Sequence, residues 1–254
     1  IEQYAFSCDI QIENISLPST VEYLGRRAFH ACEKLRNFRI KPDSKLEIIG
    51  EEALCGSAIE KVSIPSSLQV IFDHSFRRCK HLKDVEFRSY SNLKKIGICA
   101  FESTSIEKIS IPSSVTVIGR GAFANCNKLK IVEIPDNSKL EKINEFTFQS
   151  TSIESLSLPS SITFLNDCWS SFMPKMSKIT VSPNNQRYKS YKDIFILYNN
   201  DGNFDSLVFC VESLKEVTIP SFIKIIRSQA FRNNKQIKKV CFEKNSNLNV
   251  AKSN

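Results

Sequence analysis

The chain has little of what builds flexible or catalytic structure. Only seven of its 254 residues are glycine, so it holds little flexible linker. No apolar run reaches the roughly 18–20 residues needed to cross a bilayer. No block of five like charges occurs. There is no Cys-x-x-Cys, and no cysteine–histidine set has zinc-finger spacing. The three histidines, His30, His74 and His81, stand in no Ser–His–Asp or Cys–His arrangement. P-loop and dinucleotide fingerprints are missing. The sequence therefore leads us to expect no catalytic residue, no metal, no cofactor and no small-molecule substrate, and the chain reads as non-enzymatic.

What is there is a repeat. Each unit carries an apolar triplet at positions 0, +3 and +5, as in Ile106-x-x-Ile109-x-Ile111. The last two members alternate with polar residues, which is the strand period. Pro112 then ends the strand, because proline cannot donate to the next ladder bond. Taking the last apolar residue as marker gives Leu17, Ile40, Ile64, Phe87, Ile111, Ile134, Leu158, Val181, Ile219 and Phe242, in alternating steps of 23 and 24 broken by a single step of 38. A unit this short has nothing of its own to bury against, so it is stable only beside copies of itself. A period of about 20–29 with this triplet is the leucine-rich-repeat signature. The expected fold is a right-handed solenoid with a parallel β-sheet on the concave face. Its returns are expected to hold short strands, 3₁₀ turns or short helices.

The motifs also resemble a known family. Ile64-Pro65-Ser66-Ser67, Ile111 through Gly119, Ala122-Phe123-Ala124-Asn125-Cys126 and Ile219-Pro220-Ser221 are similar to the BspA-like leucine-rich repeats. These are surface proteins of trichomonads, other protists and host-associated bacteria. The likeness covers essentially the whole chain. It implies a cell-surface or extracellular binding module, an adhesin whose partner is a host or matrix protein, another microbe or a cell-surface glycan. An intracellular scaffold is the alternative in the same class.

One domain spanning 1–254 is expected, with an inserted β-hairpin at about 183–213. Two apolar runs, Ile194–Tyr198 and Leu207–Phe209, flank Asn-Asp-Gly at 200–202, a hairpin signal. The Ser182-Pro183-Asn184-Asn185 stretch before it is similar to a segment of the same family. The insertion reads either as a binding projection or as a structural brace. The repeat already runs at Ala5-Phe6 and still runs at Leu248, so a longer array truncated at both ends is expected, with end-to-end self-association as a consequence. Any membrane attachment is expected to lie outside this sequence.

Within the units, the Phe of each Ala-Phe reads as a stacked core spine. Cys32, Cys79 and Cys126 recur every 47 residues, three after that Phe, and read as buried free thiols, with Asn234 taking their place later. Cys241, on an outward strand position, is the cysteine expected to be reactive. Asn14-Ile15-Ser16 matches the glycosylation sequon, but Ile15 is a core strand position.

The surface of a solenoid's stacked strands is its usual binding face. The outward strand positions expected to contact a partner are Arg39, Lys61, Asp84, Glu86, Lys108, Ile131, Glu133, Lys178, Glu216 and Lys239. The net charge of +8 reads as a solvated surface or as an attraction to polyanions, glycosaminoglycan ahead of nucleic acid. Acidic Asp84, Glu86 and Glu133 interrupt the face, and it lacks aromatics for base stacking, so no nucleic acid is expected.

Overall fold

The computed structural model describes residues 1–249. Ten strands of three or four residues recur along the chain: Asn14–Leu17, Asn37–Ile40, Lys61–Ile64, Asp84–Phe87, Lys108–Ser110, Ile131–Glu133, Ser155–Leu158, Lys178–Val181, Glu216–Ile219 and Lys239–Phe242. They fall into four parallel groups, of four, two, two and two strands, that pair at equivalent positions, as in Val62 opposite Val85 and Ile109 opposite Val132. The central apolar residue of each strand points inward and its neighbours point out, as the two-residue period requires. The last strand is the exception, with Val240 and Phe242 half exposed.

A second parallel sheet runs along the returns. Seven two-residue strands, from Tyr23–Leu24 to Phe164–Leu165, stack in chain order. Glycine follows several of them because the turns approach closely there: a Cβ on Gly119 would lie 2.6 Å from the carbonyl carbon of Gly97.

The short helices expected on the returns are not found; among the described residues the returns hold only short strands and turns. The cause lies in the backbone. From Phe6 to Phe148, and again at Phe231, the residues two before and two after the anchor are left-handed, for example Arg27 (φ 53°) and Ala31 (φ 55°) around Phe29. A right-handed helix cannot run through such residues. Alternate N–H groups instead point to the next turn. Arg27, Phe29 and Ala31 donate to the carbonyls of Glu51, Ala53 and Cys55 at 2.9, 2.7 and 2.7 Å. These bonds offset the roughly 1 kcal/mol cost of each left-handed residue.

The anchors form the expected spine. Phe76, Phe101, Phe123 and Phe148 stack nearly parallel with centroids 5.1, 5.4 and 5.8 Å apart. Trp169 continues the spine, edge-on to Phe148, and Phe209 packs on it at 5.2 Å. Cys32, Cys79 and Cys126 are fully buried free thiols that donate to the carbonyls of Phe6, Leu54 and Phe101 at 3.0–3.1 Å. Asn234 takes the equivalent role toward Val211. Burial pushes Cys79 up to about 12 and Cys126 to about 11. The second serine of each Pro-Ser-Ser ties turn to turn: Ser67, Ser114 and Ser161 donate to the carbonyls of Leu46, Leu93 and Leu140.

After Lys178–Val181 the pattern is interrupted by three antiparallel strands, Tyr188–Tyr191, Phe195–Asn200 and Asn203–Cys210. Asp201 and Gly202 make the tight turn, both with positive φ. The strand Phe195–Asn200 is walled in on both sides. Ile196 belongs to the core of the preceding turns, while Phe195 and Leu197 belong to the core shared with Val217 and Ile219. The strand Asn203–Cys210 then pairs in parallel with the return strand Ile225–Ile226. Asn185 holds the entry to this segment. Its side chain donates to the carbonyls of Pro159, Ser160 and Ile162 and accepts from the N–H groups of Arg187 and Tyr188.

Candidate functional site: the exposed strand face

All ten outward residues predicted from the sequence are exposed, on the four parallel groups of repeat strands. They stand in two columns. The first carries Lys61, Asp84, Lys108, Ile131, Lys178, Glu216 and Lys239; the second carries Arg39, Glu86 and Glu133. Strand register brings some of them together. Lys61 faces Asp84 directly, and Lys108 lies beside Ile131. Lys108 Nζ is 2.6 Å from Glu133 Oε1, and Ser110 donates to the other oxygen of that carboxylate. The lysine first, then the serine, holds the Glu133 carboxyl below the usual range. Lys178 turns away toward Asp193 of the inserted segment, at 3.3 Å. Glu216 and Lys239 face each other beyond that segment, with their charges 4.0 Å apart.

Two depressions mark this face. One, of about 570 Å³, surrounds Ile131, which is 49% exposed. Ser110, Glu133, Ser155 and Ser157 rim it. An apolar centre inside a polar rim is the anatomy of a protein contact. The other, of about 770 Å³, lies over the early strands and is lined by Arg36, Arg39, Lys41, Lys61 and Arg88 with Glu60 as the lone carboxylate. Sequence reasoning found Arg39 and Lys61 there from strand periodicity. It missed Arg36, Lys41 and Arg88, which lie just outside the strands, where no period marks direction.

The return side carries a different set of side chains. Two groups, His30 with Glu52 and Cys55, and His74 with Cys99 and Glu102, each bring one donor atom per residue within 4.8 Å of the others. Spacing within one turn could not reveal them, because each group spans adjacent turns. Reading equivalent positions down the repeat would have. Cys241, the thiol expected to be reactive, is partly exposed beside Thr218. Asn14 is exposed and accepts a hydrogen bond from Asn37.

Stacked parallel strands with one exposed ladder face define a leucine-rich-repeat solenoid. The family model for the BspA type leucine rich repeat region matches six copies, at residues 1–130, 94–192 and 186–253. The chain belongs to this family. Among solved structures, the pneumococcal vaccine antigen PcpA superposes with a TM-score of 0.69 at 21% identity, over 96% of this chain and 58% of that one. The chain thus spans somewhat more than half the length of that antigen. A leucine-rich repeat protein from Eubacterium ventriosum matches at 14% identity over 94% of this chain and 69% of that one, with a TM-score of 0.49. A leucine rich cell surface protein from Faecalibacterium prausnitzii matches at 18% identity over 95% and 82%, with a TM-score of 0.43. No curated protein matches the chain.

Proposed function

We propose that this chain is the non-enzymatic binding module of a cell-surface adhesin that contacts host cells, extracellular matrix or other microbes through its strand face. The observation that carries the reading is the half-exposed Ile131, set in a polar-rimmed depression on a rigid parallel sheet. Membership of a family with a vaccine antigen among its structural neighbours supports a surface location. The strand that carries Ile131 is hydrogen-bonded in parallel to Lys108–Ser110, so its backbone is already ordered before binding.

A second reading rests on the basic depression. Five cations around one carboxylate favour a sulfated or acidic glycan, such as a glycosaminoglycan. The two readings separate by salt. Binding to a panel of matrix proteins, host cells and heparin is measured at low and at physiological ionic strength. The adhesin reading expects salt-resistant binding to a protein or cell type that weakens when Ile131 is changed to Ser. The polyanion reading expects heparin binding that falls steeply with salt and is lost with Arg39→Gln and Lys61→Gln. Absence of binding to every member of the panel contradicts both.

A further inference from the structure

We propose that His74, Cys99 and Glu102 form a binding site for a zinc-class divalent cation, on the return side between adjacent turns of the solenoid. Nitrogen, sulfur and carboxylate oxygen together suit Zn²⁺ and disfavour Mg²⁺ and Ca²⁺. Their donor atoms lie within 4.8 Å of one another. Zinc bonds of about 2.0–2.3 Å place tetrahedral donors roughly 3.3–3.8 Å apart, so an adjustment of about 1 Å completes the site. The backbone beneath is already fixed. His74 N donates to Ile98 O at 2.7 Å and Cys99 N to Arg120 O at 2.8 Å.

Three further observations single out this cluster. His74 Nδ1 is buried without a hydrogen-bond partner among the described residues, an arrangement that is costly unless an ion or donor meets it. Arg77 Nε sits 2.7 Å from Glu102 Oε2 as an ion pair, while Asn125 Nδ2 donates to Oε1 only at 3.5 Å, so Oε1 is the carboxylate oxygen left open to a cation. Glycine occupies the next position in the His74–Cys99 column: a Cβ on Gly121 would lie 3.1 Å from Cys99 Sγ. The left-handed backbone does not by itself demand glycine there, because Tyr4, Arg27, Glu52 and Phe146 hold the same conformation in other turns. The sister cluster of His30, Glu52 and Cys55 differs at the carboxylate. Arg27 donates to both oxygens of Glu52 at 2.9 Å and competes with any cation. On binding, the Cys99 S–H bond breaks, sulfur bonds the metal and the proton leaves to solvent. Three protein donors leave the fourth position to water.

The test uses Co²⁺ and Zn²⁺ on the reduced chain. Co²⁺ is expected to produce a thiolate-to-cobalt charge-transfer band at one equivalent, displaced by Zn²⁺. Cys99→Ser abolishes the band, His74→Gln weakens Co²⁺ binding tenfold or more, and Cys55→Ser leaves both unchanged. Circular dichroism checks that each variant is folded. Absence of the band in the unaltered chain, its survival in Cys99→Ser, or its loss in Cys55→Ser overturns the assignment.

Discussion

Replacing Phe101 by Leu isolates what aromatic stacking contributes to the repeat. Phe101 is fully buried and stacked on both sides, on Phe76 at 5.1 Å and Phe123 at 5.4 Å, with interplanar angles of 4°. Leucine already occupies the same row at Leu54, fully buried, so the site accepts its shape. Apolar burial changes little, and the loss comes from two aromatic pairs worth about 0.5–1.5 kcal/mol each, or about 1–3 kcal/mol together. Phe101→Ala adds a cavity and is expected to cost about 3–5 kcal/mol. Phe6→Leu is the control. Phe6 is 39% exposed and stacked on Phe29 alone, so its loss is expected to stay under about 1 kcal/mol. Urea unfolding supplies the free energies, and double-mutant cycles apportion them. The adjacent pair Phe101 and Phe123 should couple by about 0.5–1.5 kcal/mol, while Phe76 and Phe148, which are not stacked on each other, should not. Equal coupling in both pairs, or a Phe101→Leu cost no larger than that of Phe6→Leu, would refute the spine.

Three other outcomes are expected. Asn185→Ala leaves two buried carbonyls, one part-buried carbonyl and two N–H groups without their partner and should cost about 2–4 kcal/mol in urea unfolding. Glu212 is buried against the Met173 amide, and burial pushes its carboxyl up to about 7. Because the folded value lies above the unfolded one near 4.5, stability should fall as pH rises from about 4.5 to 7 and level off above. The fall is on the order of 2 kcal/mol after partial solvent screening, and Glu212→Gln should flatten it in a pH series of unfolding curves. In native protein a thiol-labelling time course read by mass spectrometry should modify exposed Cys8 well before Cys79 and Cys126, which burial keeps as protonated thiols.

The strand rows were legible because one property, alternation of apolar and polar residues, sets both the strand and its outward side chains. The Phe spine and the cysteine column were legible as residues recurring at a constant place in the unit. Asp201-Gly202 announced its turn by composition. Other features carry no local signature. Left-handed backbone falls on Arg27, Glu52, His74 and Cys99, residue types that do not advertise it, so helices were expected where inter-turn hydrogen bonds prevent them. The strand Tyr188–Tyr191 was missed because its turn uses left-handed Lys192 and Asp193, without glycine or asparagine. The place of Trp169 in the spine was not legible, because it packs on Phe209, a contact with the inserted segment that repeat spacing does not encode. At the candidate site, direction was legible and pairing was not. Lys108 and Glu133 lie 25 residues apart and meet only through strand register.

The most direct test of binding through the strand face compares two charge-matched variants. One carries Lys61→Gln, Lys108→Gln and Ile131→Ser on the strand face. The other carries Arg26→Gln and Arg120→Gln on the return side, where both arginines are exposed and form surface ion pairs, Arg120 also lying 5.5 Å over the Phe146 ring. Each removes two positive charges. Binding to host cells and matrix proteins is measured at physiological salt. The account predicts that the strand-face variant loses binding tenfold or more while the return-side variant keeps it. Equal loss in both, or loss in the return-side variant alone, contradicts it.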